Sequence, residues 1–241
     1  MTENQNPVGR LYEILTAAHG TNAMNVQRGW ALVFNIPAED IPSLLKAIAG
    51  LDELSQRAET IIKNVDDIDH EAYLQYFPNI SKAIRTSFSL TNEWNTVRKF
   101  LDDATLNNLR LCVDITKDVI KIFIDQDTLS EIQSKVEELL EQVLSSDIPQ
   151  DIKQKIIEHL QHIHDAVVNY RLSGPEGLEE ATERYLGFLF LHYDVLRKTK
   201  FNDYFDSHWD LIKFLVEVLG IGIGALQLLG PAITNLLGAG S

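Results

Sequence analysis

Three histidines, His159, His162 and His164, stand close together in the chain, and clustered imidazoles are where metal binding or proton transfer is first sought. Zinc-binding helices pair histidines at i and i+4, so that both point from one face, usually with a carboxylate base between them. Here the spacings are 3 and 2. At 100° per residue, on a helix whose apolar stripe centres on Ile156, Ile163 and Val167, His159 and His162 fall on one flank of the stripe. His164 falls on the other. One helix cannot aim all three at a single ion, so the spacing predicts boundary positions between core and solvent.

Two acidic clusters offer themselves as cation sites: Asp66, Asp67, Asp69 and Glu71, and later Asp125 and Asp127. A calcium loop needs ligands at alternate positions, a central Gly and a Glu at its twelfth position. Neither cluster has them. Each precedes a predicted helix, where carboxylates cap free amides and complement the helix dipole. Cys112 lies on the apolar face formed by Leu109, Val113, Thr116, Val119, Ile120 and Phe123, with no His or Lys one turn away to activate it. The sequence contains no G-x-S-x-G, phosphate-binding loop, G-x-G-x-x-G or H-E-x-x-H. The expectation is therefore of no catalytic residue, no metal and no cofactor. A helical hydrolase assembled from scattered carboxylates and histidines is the minor alternative.

The elements that would carry these residues are helices. Apolar side chains recur at spacings of 3 and 4 almost throughout, most clearly in Leu129, Ile132, Val136, Leu139, Leu140, Val143 and in Ile152, Ile156, Leu160, Ile163, Val167, Tyr170. Helices are predicted near 8–19, 22–35, 41–64, 69–77, 79–90, 92–125, 128–145, 149–172, 175–199 and 203–229. The fold class is all-α, a multi-helix bundle of about ten helices ending in a hydrophobic, Gly-rich C-terminal helix. Thr128 with Glu131 and Ser173 with Glu176 read as capping boxes. Asp147 ahead of Pro149 starts a helix, and Gly174-Pro175 separates two. The loop Pro37–Pro42 suggests an N-terminal helical hairpin over 1–38, an acidic bundle over 39–205 and a hydrophobic segment over 206–241.

Charge is spread unevenly. The 241 residues hold 35 acidic and 21 basic side chains, a net charge of −14. Residues 211–241 are neutral, with Lys213 and Glu217 as their charges, and nothing from Val218 onward is charged. The acidity argues against nucleic-acid binding, which needs clustered Lys and Arg. One cysteine excludes a disulfide framework, and Met1 to Pro7 lacks the basic and apolar regions of a secretory signal.

The tail carries the sharpest signal. Leu211 to Leu229 would span about 28 Å as a helix, close to the hydrocarbon thickness of a bilayer. On it Lys213, Glu217, Gly220, Gly224 and Gln227 fall on one stripe, with Gly220-x-x-x-Gly224 as a small-residue packing spacing. Lys213 and Glu217 could pair at i, i+4. Gly230-Pro231 would then end the helix. Upstream, Arg197, Lys198, Lys200, Tyr204 and Trp209 have the order of a cytoplasmic interfacial flank. Two readings follow. In one, the chain is a cytoplasmic, non-enzymatic interaction protein, associated with the inner membrane through its C-terminus, a membrane-perturbing effector or regulator in a bacterial conflict or defence system. In the other it is a wholly soluble immunity- or adaptor-type protein with that helix buried in the bundle. Its partner would be a protein, basic in charge, or a second copy of itself.

Overall fold

The structure, a computed structural model, describes residues 6–118, 124–192, 196 and 205–221. It is all-helical apart from an isolated bridge between Asn25 and Glu93, as the periodicity predicts. The chain divides into two compact units: Met1–Lys121 with Arg171–Gly174, and Ile122–Tyr170 with Pro175–Ser241. The division falls near residue 121. Residues 1–38, expected as a separate hairpin, belong to the first unit, where their helices pack on the next one.

In the first unit, α1 (Pro7–Gly20) starts where Asn6 Oδ1 accepts the Gly9 amide at 2.8 Å and Pro7 supplies a preset first turn. α2 (Val26–Phe34) and α3 (Ile41–Lys63) are capped by Asn25 and Asp40. α4 (His70–Leu74) is capped by Asp69, as expected for that acidic cluster, and α5 (Phe77–Ser87) follows. The single helix predicted over 92–125 is instead α6 (Asn95–Arg98) and α7 (Asp103–Thr116). Asp102 breaks it: its backbone is extended and its carboxylate accepts the Thr105 amide at 2.9 Å, starting a new helix. That bond holds the Asp102 carboxyl below its usual range.

The core of this unit gathers Leu11, Leu15, Trp30, Leu44, Ile48, Leu51, Leu54, Ile80, Ile84, Trp94 and Cys112. Trp30 stacks on Phe34 and meets Trp94 edge-on, with centroids 5.2 and 5.3 Å apart. Gly29 lets Trp94 lie directly on the α2 backbone, because a Cβ there would run into the indole ring. The returning segment 171–174 completes the packing: Leu172 is buried, and the Ser173 carbonyl accepts Arg57 Nη1 at 3.1 Å.

The second unit contains α8 (Gln126–Ser145), α9 (Gln150–Val168), most of α10 (Tyr170–Leu191) and α11 (Phe205–Val218). Three predicted ends move. α8 begins a turn before the Thr128 box, because Asp125 accepts the Thr128 amide at 2.8 Å. α9 begins after Pro149 and stops at Asn169, short of residue 172. α10 is interrupted at Gly174 (φ 65°, ψ −169°), as Gly174-Pro175 predicts.

The C-terminal helix is corrected most. Predicted over 203–229, it ends at Val218. Gly220 adopts φ +60°, its amide donates to the Glu217 carbonyl at 3.1 Å, and the Ile221 amide reaches back to Val216 at 3.1 Å. This pair of bonds is a Schellman cap, which a left-handed Gly just past the end favours. Trp209, Leu211, Ile212, Leu215, Val216 and Leu219 of this segment pack with Val136, Leu160, Ile163, Tyr185 and Leu189 in the unit's core. Among the described residues no helix is long and apolar enough to cross a membrane.

Candidate functional site

The residue types that opened the search for chemistry all have structural employment. Cys112 is buried, its thiol facing the Tyr73 carbonyl at 3.5 Å, and burial pushes its pKa up to about 12. His159 lies against Phe188 and Tyr185, with centroids 4.9 and 5.7 Å away, and meets His162 edge-on at 6.3 Å. Burial lowers its pKa, and the neighbouring His162 adds to this. His164 points to the opposite flank and approaches Glu137 at 3.5 Å, as the helical geometry requires. Among the described residues no group of three or more His, Cys, Asp or Glu could hold a metal ion.

His208 escaped the sequence reading. It is fully buried on α11 and shares a hydrogen bond through Nδ1 with the Tyr185 hydroxyl. Burial drives the two groups in opposite directions, His208 down to about 3 and Tyr185 well above 10, so both are neutral near pH 7. The signal was present in the sequence, since His208, Ile212 and Leu215 stand at spacings of 4 and 3 on an apolar stripe.

The predicted membrane and oligomerisation residues scatter. Lys213 and Glu217 are exposed, and Lys213 approaches Asp210 at 3.3 Å instead of pairing with Glu217. Gly220 is the helix cap, so it is not a packing surface on a continuous helix. Trp209, expected at an interfacial belt, is a core residue of the second unit. Gly224, Gln227, Gly230, Pro231, Arg197, Lys198, Lys200 and Tyr204 lie outside the described residues.

What the structure adds is an open cleft of about 450 Å³ in the first unit, lined by Arg28, Ala31, Leu32, Asn35, Ile36, Pro37 and Ala38. Both its walls are fixed. The free amides at the start of α2 are satisfied by the preceding loop: Val26 donates to Asn92 at 2.9 Å and Gln27 to Leu90 at 3.0 Å. At the far end Asn35 is left-handed (φ 56°) and the Ile36 amide bonds the Ala31 carbonyl, so the chain turns sharply. Arg171 Nη1 caps the Val33 carbonyl at 3.1 Å, and Gln27 Nε2 holds the Ala38 carbonyl at 2.6 Å. Beside this cleft Met24 and Leu32 are 70% and 65% exposed. The sequence reading took Pro37–Pro42 for a boundary and missed the cleft. Its signal was Met24, Arg28, Leu32 and Asn35, spaced 4, 4 and 3 on the helix face turned away from Trp30 and Val33.

No protein family, curated protein or solved structure matches the chain.

Proposed function

We propose that this protein acts by binding and not by catalysis, as a helical interaction protein of the immunity or adaptor type. The observation that carries the reading is the rigid apolar cleft at the end of α2, with Leu32 and Met24 standing exposed beside it. Contiguous apolar surface of this kind marks a protein-binding site. Burial of α11 supports the version in which the C-terminal helix belongs to the bundle. The test is a photo-crosslinking side chain placed at Leu32, compared with the same side chain at exposed Ser134 on α8. A discrete adduct from position 32 alone, competed away by unlabelled protein, is expected. Equal or absent adducts at both positions would sink the cleft as the binding site.

A second reading keeps a membrane role for the tail, on the strength of the uncharged run from Val218 to Ser241. It places membrane affinity after Ile221, because α11 is core. A chain ending at Ile221 should stay folded and leave the membrane fraction, while full-length protein pellets with membranes. Soluble full-length protein would defeat this reading.

A further inference from the structure

We propose that the cleft of α2 receives an amphipathic segment of a partner protein, which sets a bulky apolar side chain against Leu32 and a carboxylate against Arg28. This rests on the cleft being the docking site and goes on to say what it recognises. Met24, Arg28 and Leu32 stand four residues apart, so all three project from one face of the helix, and Asn35 three further on continues it. From Met24 to Leu32 this face runs about 12 Å, two helical turns. A small ligand held in the cleft would leave Met24 uncovered. A helix or extended segment lying along α2 covers both apolar side chains, the groove mode in which anchors recur at i, i+3 or i+4 and i+7.

Charge selects the segment. Arg28 is exposed and is the charged residue of the lining. Among the described residues its guanidinium makes no ion pair. Other surface cations do: Lys63 with Glu59 at 2.7 Å, Lys155 with Glu158 at 2.9 Å and Arg184 with Glu180 at 2.6 Å. A chain with 14 surplus negative charges has no shortage of carboxylates. Arg28 is kept from them by its helical neighbours, since the positions one turn to either side are the apolar Met24 and Leu32. Its planar fork of donors is suited to a carboxylate brought by the partner. The net charge of the protein alone would favour a basic partner. The cleft favours an acidic one, and the two expectations have opposite signs.

The experiment uses full-length protein and two fluorescein-labelled synthetic amphipathic peptides of about four helical turns. Both have the same Leu stripe, flanked by Glu in one and by Lys in the other. Anisotropy titrations are run near physiological salt, where a Debye length of about 8 Å screens distant charges. Wild-type protein should bind the Glu peptide about fivefold more tightly, the scale of one exposed ion pair. Arg28→Glu should invert the preference, and Leu32→Ser should weaken both peptides about tenfold. Both side chains are exposed, so helicity and thermal midpoint should not move. A wild-type preference for the Lys peptide, or one that Arg28→Glu leaves unchanged, overturns the acidic partner. If Leu32→Ser still weakens both peptides in that case, the docking cleft survives. Binding indifferent to Leu32→Ser overturns the cleft itself. A dimer in light scattering that Leu32→Ser dissociates also overturns the proposal, in favour of a second copy of this chain.

Discussion

The first unit carries 13 basic and 16 acidic residues, and the second 8 and 19. The acidity of the protein therefore belongs mostly to one half, with a net −3 in the first unit against −11 in the second. Their interiors differ in the same direction. The first unit buries tryptophans in close contact over a glycine and meets its buried backbone groups with neutral caps and with arginines. The second encloses a titratable imidazole in its core. Two bundles with the same helical grammar should thus fail under different insults: overpacking should break the first, and protons the second.

The largest effect expected is from Gly29→Ala. The new methyl meets the Trp94 ring, which is too rigid and enclosed to retreat, and about 3 kcal/mol should be lost. Amide exchange in α1 and α3 should quicken by roughly a hundredfold while α8 and α9 hold. Equal loss in both units would dissolve the contrast.

Acid should act on the other half. Unfolded His208 takes up a proton below about pH 6.5, whereas the folded residue does so only near 3. The unfolded state therefore binds more protons across that window, and stability falls as pH falls through it. Between pH 7.5 and 5 the second unit should lose about 2 kcal/mol. Exchange in α8 and α9 and Trp209 emission should report this, and His208→Gln should remove most of it. If α1 and α3 lose as much, the buried imidazole is not the cause.

Gly220→Ala should cost about 1 kcal/mol in the second unit. Nothing lies within 4 Å of its would-be Cβ, so the penalty is purely that of φ +60°. Compared with Gly29→Ala, it separates backbone strain from steric collision. The smallest effect is Lys213→Ala, whose exposed pairing with Asp210 should be worth under about 0.5 kcal/mol by thermal unfolding.

The all-α class and most helix bodies were readable because burying one stripe of a helix leaves a period of 3 to 4 in the sequence. Ends were less readable where two signals compete. Asp102 and Asp125 win as caps over the periodic pattern that runs across them, and Gly220 ends a helix whose apolar composition continues beyond it. The flank assignment of His159, His162 and His164 needed only the geometry of a single helix, and it holds. The cleft needed more, since its second wall comes from a loop whose course is set by Asn35, Gln27 and Arg171. A partner 138 positions away in the chain leaves no local pattern to read.

That distant partner also bears on how the chain is made. Residues 171–174 belong to the first unit, yet nearly fifty residues of the second, Ile122–Tyr170, precede them in synthesis. On the ribosome the first unit must wait, with the seat of Leu172 unfilled and the Val33 carbonyl unmet by Arg171, until α8 and α9 have been translated. Vectorial folding, in which the first-made domain closes before the next begins, is denied to this protein. A chain released near residue 121 would present the cleft helix α2 without the arginine that fixes its end.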